Sequence, residues 1–430
     1  MTQTTSSPLA APAKPLNSPA RVLTASLIGT TIEFYDFYIY ATAAVVVFPT
    51  LFFPGTDDTT ALLASFVTFS IAFFARPFGA LVFGHFGDRV GRKTTLVAAL
   101  LTMGISTVAI GLLPTHASVG VLAPLLLALC RFGQGFGLGG EWGGAVLLAT
   151  ENAPEGKRSW YGMFPQFGAP LGLFLASGTF WILLHFMSRE DLLAWGWRIP
   201  FIISVVLIVV GLWVRLSISE TPEFQAAIDR AERVAVPIWE LLRSHKRSLF
   251  LGSFLALVTF VLFYLATAYL LAYNTKVLNM TLVDAIGVQA YASVIFGIST
   301  ILAGKLGDLI GRRTLLLVGM LAIAAFSFAF GPMLSGDIDA IYIFVTVAMF
   351  LFGLNYGIIG AVLAAPFPAQ VRYTGSSMTF NIAGILGASL APYAAVWLQS
   401  HYGIAAVGYY LLICTIISLL CLLASRRDEV

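Results

Sequence analysis

Glu33, Asp36 and Tyr40 fall inside one long apolar run at spacings i, i+3 and i+7, so on a helix they share a face. Arg131, Gln134 and Glu141 fall inside another, and at 100° per residue they lie within about 80° of one another. A charged side chain at the centre of a membrane helix costs about 2.5–3.5 kcal/mol, so such residues turn to a protein interior and usually work there. Burial raises the proton affinity of a carboxylate and a nearby guanidinium lowers it, so an arginine that changes partners can switch proton binding on and off. Asp36, with Glu33 as the alternative, is therefore the expected proton acceptor, and Arg131 the residue that sets its affinity. Both faces are expected to look into a cavity, where Tyr40, Arg131, Gln134 and Glu141 would also meet a solute. The competing reading is a fixed buried ion pair that specifies helix packing. Arg76, just before Pro77 in a further apolar run, is placed to neutralise a cavity carboxylate or to snorkel within the bundle.

The elements that must position these groups follow from composition. Of 430 residues, 58% are hydrophobic and 10% charged, where a soluble domain runs at about 45–50% and 25%. Twelve stretches, from 22–48 to 403–424, are long and apolar enough to cross a bilayer as helices and too long for barrel strands. The fold class expected is an all-α integral membrane protein. Placing the N-terminus inside puts most of the 24 lysines and arginines on the cytoplasmic side, Arg89, Arg92, Lys93, Arg215, Arg312 and Arg313 among them, against Arg189, Arg198 and Lys276 outside. Both termini are then cytoplasmic. The net charge of +3 is topological and implies no nucleic-acid partner. Cys130, Cys414 and Cys421 lie in apolar runs without metal-ligand spacing and read as small packing residues, and no metal site is expected.

The chain repeats itself. Gly84-His-Phe-Gly87-Asp88-Arg89-Val-Gly91-Arg92 returns as Gly304-Lys-Leu-Gly307-Asp308-Leu-Ile-Gly311-Arg312, each copy following the second span of a set of six. Two pseudo-symmetric six-helix halves are implied. The expected division is a disordered cytoplasmic tail (1–20), an N-terminal half (21–217), a cytoplasmic connector (218–247), a C-terminal half (248–425) and a short tail (426–430). In each repeated loop glycine permits a tight turn between helix ends, while the Asp accepts from a helix N-terminus and pairs with the following Arg. That is a latch which must break when the halves rock, and Gly84, Asp88, Arg89, Gly91, Arg92, Gly304, Asp308, Gly311 and Arg312 are its candidate gating residues.

The duplicated loop resembles the signature of the major facilitator superfamily. Three further stretches resemble its metabolite:proton symporter branch, which includes shikimate, α-ketoglutarate, citrate and proline or betaine carriers. They are Glu33-Phe-Tyr-Asp36-Phe-Tyr-Ile-Tyr40, Arg131-Phe-Gly-Gln134-Gly135 through Gly139-Gly140-Glu141-Trp142-Gly143-Gly144, and Trp195-Gly-Trp197-Arg198-Ile-Pro200. The resemblance implies a monomeric secondary transporter of a bacterial inner membrane that takes up a small polar metabolite with protons by alternating access. The substrate it implies is a shikimate-like or aromatic monocarboxylate or a dicarboxylate, with a zwitterionic compatible solute as the alternative and a non-transporting solute receptor as a third reading. Where that branch often carries Arg and Glu early in span 7 this chain has Ala256 and Thr259, so the C-terminal half is expected to bring no charge to the pocket. Its candidate solute contacts are the uncharged Tyr264, Asn355 and Asn381, with Tyr291 and Tyr356 beside them. There is no Gly-x-x-x-x-Gly-Lys-Ser/Thr loop and no cluster of nucleophile, base and metal ligands, so neither ATP-driven transport nor an enzyme is expected. The proton gradient is the expected energy source, with no cofactor.

Overall fold

The computed structural model describes residues 19–55, 57–90, 92–139, 141–151, 153–217, 237–334, 337–368 and 371–426. The first tail to residue 18, most of the connector (218–236) and the last four residues lie outside them.

The apolar runs become helices because a helix is the open-ended structure that satisfies its own backbone in hydrocarbon. In the N-terminal half span 1 is Pro19–Val46, span 2 Asp58–Val90, span 3 Arg92–Leu112, span 5 Arg158–Phe186 and span 6 Ile199–Ser217. Span 4 comes in two pieces, Leu122–Leu138 and Trp142–Glu151. A short helix, Pro237–Ser244, precedes the second half. There span 8 is Leu282–Leu309, span 10 Ile338–Ala364 and span 12 Ile404–Ala424, while span 9 runs from Arg312–Phe326 to Phe330–Met333. Span 7 (Lys246–Lys276) and span 11 (Arg372–Tyr402) each contain a π-helical turn, Leu265–Tyr269 and Gly384–Ser389. Eleven of the spans are long and apolar enough to cross a membrane by themselves. The twelfth helix, span 1, carries Glu33, Asp36 and three tyrosines in its middle and relies on its neighbours for cover.

Spans 5 and 8 pack along each other across the two halves, as do spans 2 and 11, and span 1 meets span 7. Spans 3, 6, 9 and 12 lie at the rim and expose Ile105, Val206, Trp213, Val318, Ile413 and Leu420, an apolar surface suited to lipid. Within the first half, glycine brings spans 2 and 4 into backbone contact. A Cβ at Gly135 would fall on the Ala72 carbonyl, at Gly139 on that of Arg76, and at Gly79 on that of Phe136.

The repeated loop is shorter than its sequence pattern suggests. Span 2 stays helical to Val90 and span 8 to Leu309, so Gly84, Asp88 and Arg89 belong to a helix and the second turn shrinks to Ile310 and Gly311, the latter at φ +86°. The side chains of Asp88, Arg89 and Arg92, and Gly91 altogether, lie outside the described residues. Gly304 is likewise helical and works by close approach, packing on Met163 and Trp160 of span 5.

Candidate charge and solute site

Span 1 presents Glu33, Asp36 and Tyr40 to its own half, not to a cavity between halves. Asp36 Oδ1 accepts a 2.5 Å hydrogen bond from Ser204 of span 6, and Thr107 of span 3 stands beside the same carboxylate. Three residues earlier, Glu33 Oε1 lies 3.7 Å from Nη2 of Arg215, about three turns along span 6 from Ser204. Glu141 contacts that same guanidinium, and Arg215 also donates to the Leu96 carbonyl at 2.6 Å. One cation of span 6 thus holds two carboxylates. Arg215 had been counted with the cytoplasmic basic residues, yet its side chain is 10% exposed. The signal that identifies it is electrostatic: two carboxylates in apolar runs require a counter-cation, and Arg215 ends the apolar run of span 6.

Glu141 does not meet Arg131: the two are ten residues, or about 15 Å of helix, apart, and Glu141 contacts Arg215 instead. Arg131 is fully buried, with the rings of Tyr40, Phe37 and Phe69 at 4.0, 4.2 and 4.9 Å from its guanidinium carbon. It donates to the Phe69 carbonyl at 3.3 Å and to Gln134 Oε1 at 2.9 Å. Gln134 in turn donates to Thr107 Oγ1 at 2.8 Å. The expected pairing of Arg131 with Asp36 is therefore absent among the described residues. Gln134 and Thr107 stand between the two, and Thr107 donates its own proton to the Met103 carbonyl at 3.0 Å. Tyr40 donates to Thr68 at 3.0 Å and lends its ring to Arg131.

In the second half Tyr264 sits at the start of the π-helical turn of span 7 and packs across the boundary on Phe69 (5.4 Å) and Phe73 (5.9 Å) of span 2. Tyr356 is buried on span 10 with a hydroxyl that has no hydrogen-bond partner. Asn381 is buried on span 11, next to Phe380, which stacks on Trp142 of span 4 at 3.7 Å. Asn355 does not join them. Its amide donates back to Leu351 at 2.9 Å and lies against Gly319 of span 9, on the side away from the other half. Tyr291 is exposed and pairs with Thr346, so it too faces outward.

The halves touch at both ends. On the side assigned to the cytoplasm, Asp308 of span 8 accepts from the backbone N–H of Ser159 (2.9 Å) and Trp160 (3.0 Å), the first turn of span 5. Arg372 of span 11 approaches Glu151 of span 4 at 3.6 Å. Further in, Trp142 donates to Gln166 at 2.9 Å and Gln166 to the Tyr356 carbonyl at 3.2 Å. At the opposite end Lys276 of span 7 meets Asp58 of span 2 at 2.7 Å. The expected partner of Asp308, Arg312, donates instead to the Ala361 carbonyl at 3.1 Å, because the helix N-terminus already fills the carboxylate.

Two segments of the chain, 22–238 and 228–424, match the family model described as sugar (and other) transporter. The chain is 52% identical over 421 residues to the inner membrane metabolite transport protein YhjE of Escherichia coli, covering 96% of each. It is 33% identical to the proline/betaine transporter of Salmonella typhimurium, over 93% of this chain and 82% of that one. Against the shikimate transporter of Escherichia coli it is 32% identical over 96% of each. Among solved structures, a D-xylose-proton symporter superposes with a TM-score of 0.73 at 18% identity, over 94% of this chain and 96% of that one.

Proposed function

Because the chain belongs to the sugar (and other) transporter family, of major facilitator fold, we propose that it takes up a small polar metabolite bearing a carboxylate together with protons, by alternating access. The observation that carries the coupling is Asp36. One of its oxygens is held by Ser204, the other is buried without a partner, and Thr107 beside it is hydrogen-bonded to Gln134 and so to Arg131. A carboxylate with one open oxygen in a dry half can take up a proton there, and a polar chain ending on a cation can transmit that change. Contact of the two halves at both ends supports an occluded intermediate of the cycle, since each end has its own set of bonds to break. The named relatives support a carboxylate: proline, betaine and shikimate each carry one. A shikimate-like or aromatic acid is the first reading. A zwitterion is the second, favoured by a C-terminal half whose buried polar groups, among the described residues, are all uncharged. The distribution of lysine and arginine and the inner-membrane relative support a place in the bacterial inner membrane with both termini in the cytoplasm, and the proposal takes the protein as a monomer driven by the proton gradient without a cofactor.

The test is reconstitution in liposomes with an acidic exterior and a trapped pH dye, adding shikimate, benzoate, α-ketoglutarate, citrate, proline and betaine in turn. Internal acidification that depends on one of them is expected. Silence with all six in protein that still binds one refutes proton coupling.

A further inference from the structure

Among the described residues of the N-terminal half Arg76 and Arg131 are buried and Arg215 is nearly so, and the latter two have polar partners although each keeps one Nη2 without a hydrogen bond. Arg215 holds Glu33 and Glu141; Arg131 donates to Gln134 and the Phe69 carbonyl. Arg76, 5% exposed, makes neither a hydrogen bond nor an ion pair among the described residues, and its Nε is buried without a partner. Its guanidinium carbon lies 4.8 Å from the ring of Phe37 and 4.8 Å from that of Phe73, and the two rings are 5.2 Å apart, so both cover the same side of it. Electrostatically it faces Tyr38, Glu33, Tyr264 and Tyr356. Tyr264 and Tyr356 belong to the other half, and the Tyr356 hydroxyl is itself buried and unpartnered.

An unanswered guanidinium in a dry interior is costly, and the arrangement persists only if something answers it during part of the cycle. Among the described residues no carboxylate of the protein pairs with it: Glu33 lies 3.7 Å from Arg215, Glu141 contacts that same guanidinium, and Asp36 accepts from Ser204. A planar fork of N–H donors is shaped for one planar carboxylate, held bidentately, and a lysine at the same place would keep the charge but lose the fork. Tyr264 packs on Phe73, the ring that also covers Arg76, and Tyr356 carries an unpartnered hydroxyl, so both can donate to the same anion from the opposite half. We propose that Arg76 anchors the carboxylate of the transported solute, with Tyr264 and Tyr356 completing the site from the other half. The solute then bridges the two halves, and its binding favours the state in which both sides of the site are together. The assignment rests on the transporter reading above and sets the substrate class as a carboxylate over its neutral counterpart.

The experiment is binding to purified full-length protein in detergent, without a gradient, read by thermal unfolding and tryptophan fluorescence. The probes are shikimate, benzoate, L-proline and glycine betaine, each beside its methyl ester. At least one acid is expected to stabilise the wild type saturably while its ester does not. Arg76→Gln should weaken that acid by about 30-fold and Arg76→Lys by about 10-fold. Tyr356→Phe should weaken it by about 3-fold to 10-fold, the loss of one hydrogen bond to a charged group. Wild-type affinity in Arg76→Gln, an ester that binds as well as its acid, or an absence of stabilisation by all four acids overturns the assignment. Should Arg76→Gln fail to fold, unchanged affinity in Arg76→Lys overturns it equally. The two proposals part company in liposomes: acid binding without internal acidification sinks proton coupling and leaves the anchor, while acidification by Arg76→Gln at unchanged KM sinks the anchor and leaves coupling.

Discussion

The repeated loop occurs once in each half, yet Glu33, Asp36, Arg76, Arg131 and Glu141, the buried charged side chains among the described residues, all belong to the first half. The second half buries Thr259, Thr267, Asn274, Gln289, Asn355 and Asn381 instead. It also holds both π-helical turns, and its spans 7 and 10 are each 78% buried, against 50% at most in the N-terminal spans compared. Duplication therefore accounts for the shape of the molecule but not for its electrostatics. Charge is concentrated where spans 1, 2, 4 and 6 can brace it. The uncharged half carries the irregular helices, in which a π-helical turn interrupts the regular backbone ladder and provides a place to bend.

That division can be broken at several points, and the largest effect is expected at Asp36. Asp36→Asn should reduce acid-driven accumulation to the level of empty liposomes while solute exchange persists; accumulation at the wild-type rate would move coupling out of this position. Next comes Arg215. Arg215→Gln leaves two buried carboxylates uncompensated and should lower stability by about 3–5 kcal/mol, read in denaturant or thermal unfolding. Adding Glu141→Gln to it should recover part of that loss, whereas Asn355→Ala in the other half should stay within about 1 kcal/mol. If the two halves respond alike, the asymmetry is only compositional. In span 11, a Cβ at Gly387 would come within 2.7 Å of Phe260 Cβ and 3.0 Å of the Leu257 carbonyl. Gly387→Ala should therefore cost about 1–3 kcal/mol and slow turnover more than it weakens binding.

Smaller effects are expected at the ends. Asp308→Asn weakens two charge-assisted bonds between the halves, worth about 1.4 kcal/mol together, or tenfold in the balance between closed and open forms. Labelling of Ser377→Cys, which lies against Gly143 across the boundary, should rise correspondingly from the cytoplasmic side. Lys276→Gln at the opposite end removes an exposed pair, and unfolding should register less than about 1 kcal/mol.

The spans, the two halves and the set of intramembrane charges were legible in the sequence, because apolar length, a repeated turn and carboxylates in hydrocarbon are all local patterns. The partners were not. Arg215 reads as a topological charge at the end of span 6, and only the folded bundle turns it back toward Glu33 and Glu141. Glu141 reads as sharing a face with Arg131, but about 15 Å of helix rise separates them and the bundle brings Glu141 to Arg215. Asn355 looks like a pocket residue on any helix buried all round, since a span without an amphipathic pattern does not say which buried face meets which neighbour. Arg76 is legible as a buried charge, but its lack of a partner is a property of three spans at once.

The bonds from Asp308 to the start of span 5 couple opening to water. Their donors are peptide N–H groups, so the bonds themselves call on no side chain at 159 or 160 and only proline would remove a donor, while the accepting charge comes from span 8. When the halves part, those N–H groups and the carboxylate each need a new partner, and solvent is the one that arrives. Cytoplasmic opening is in this sense a wetting step, and solutes that draw water from the protein surface should hold the molecule shut without touching the site at its centre.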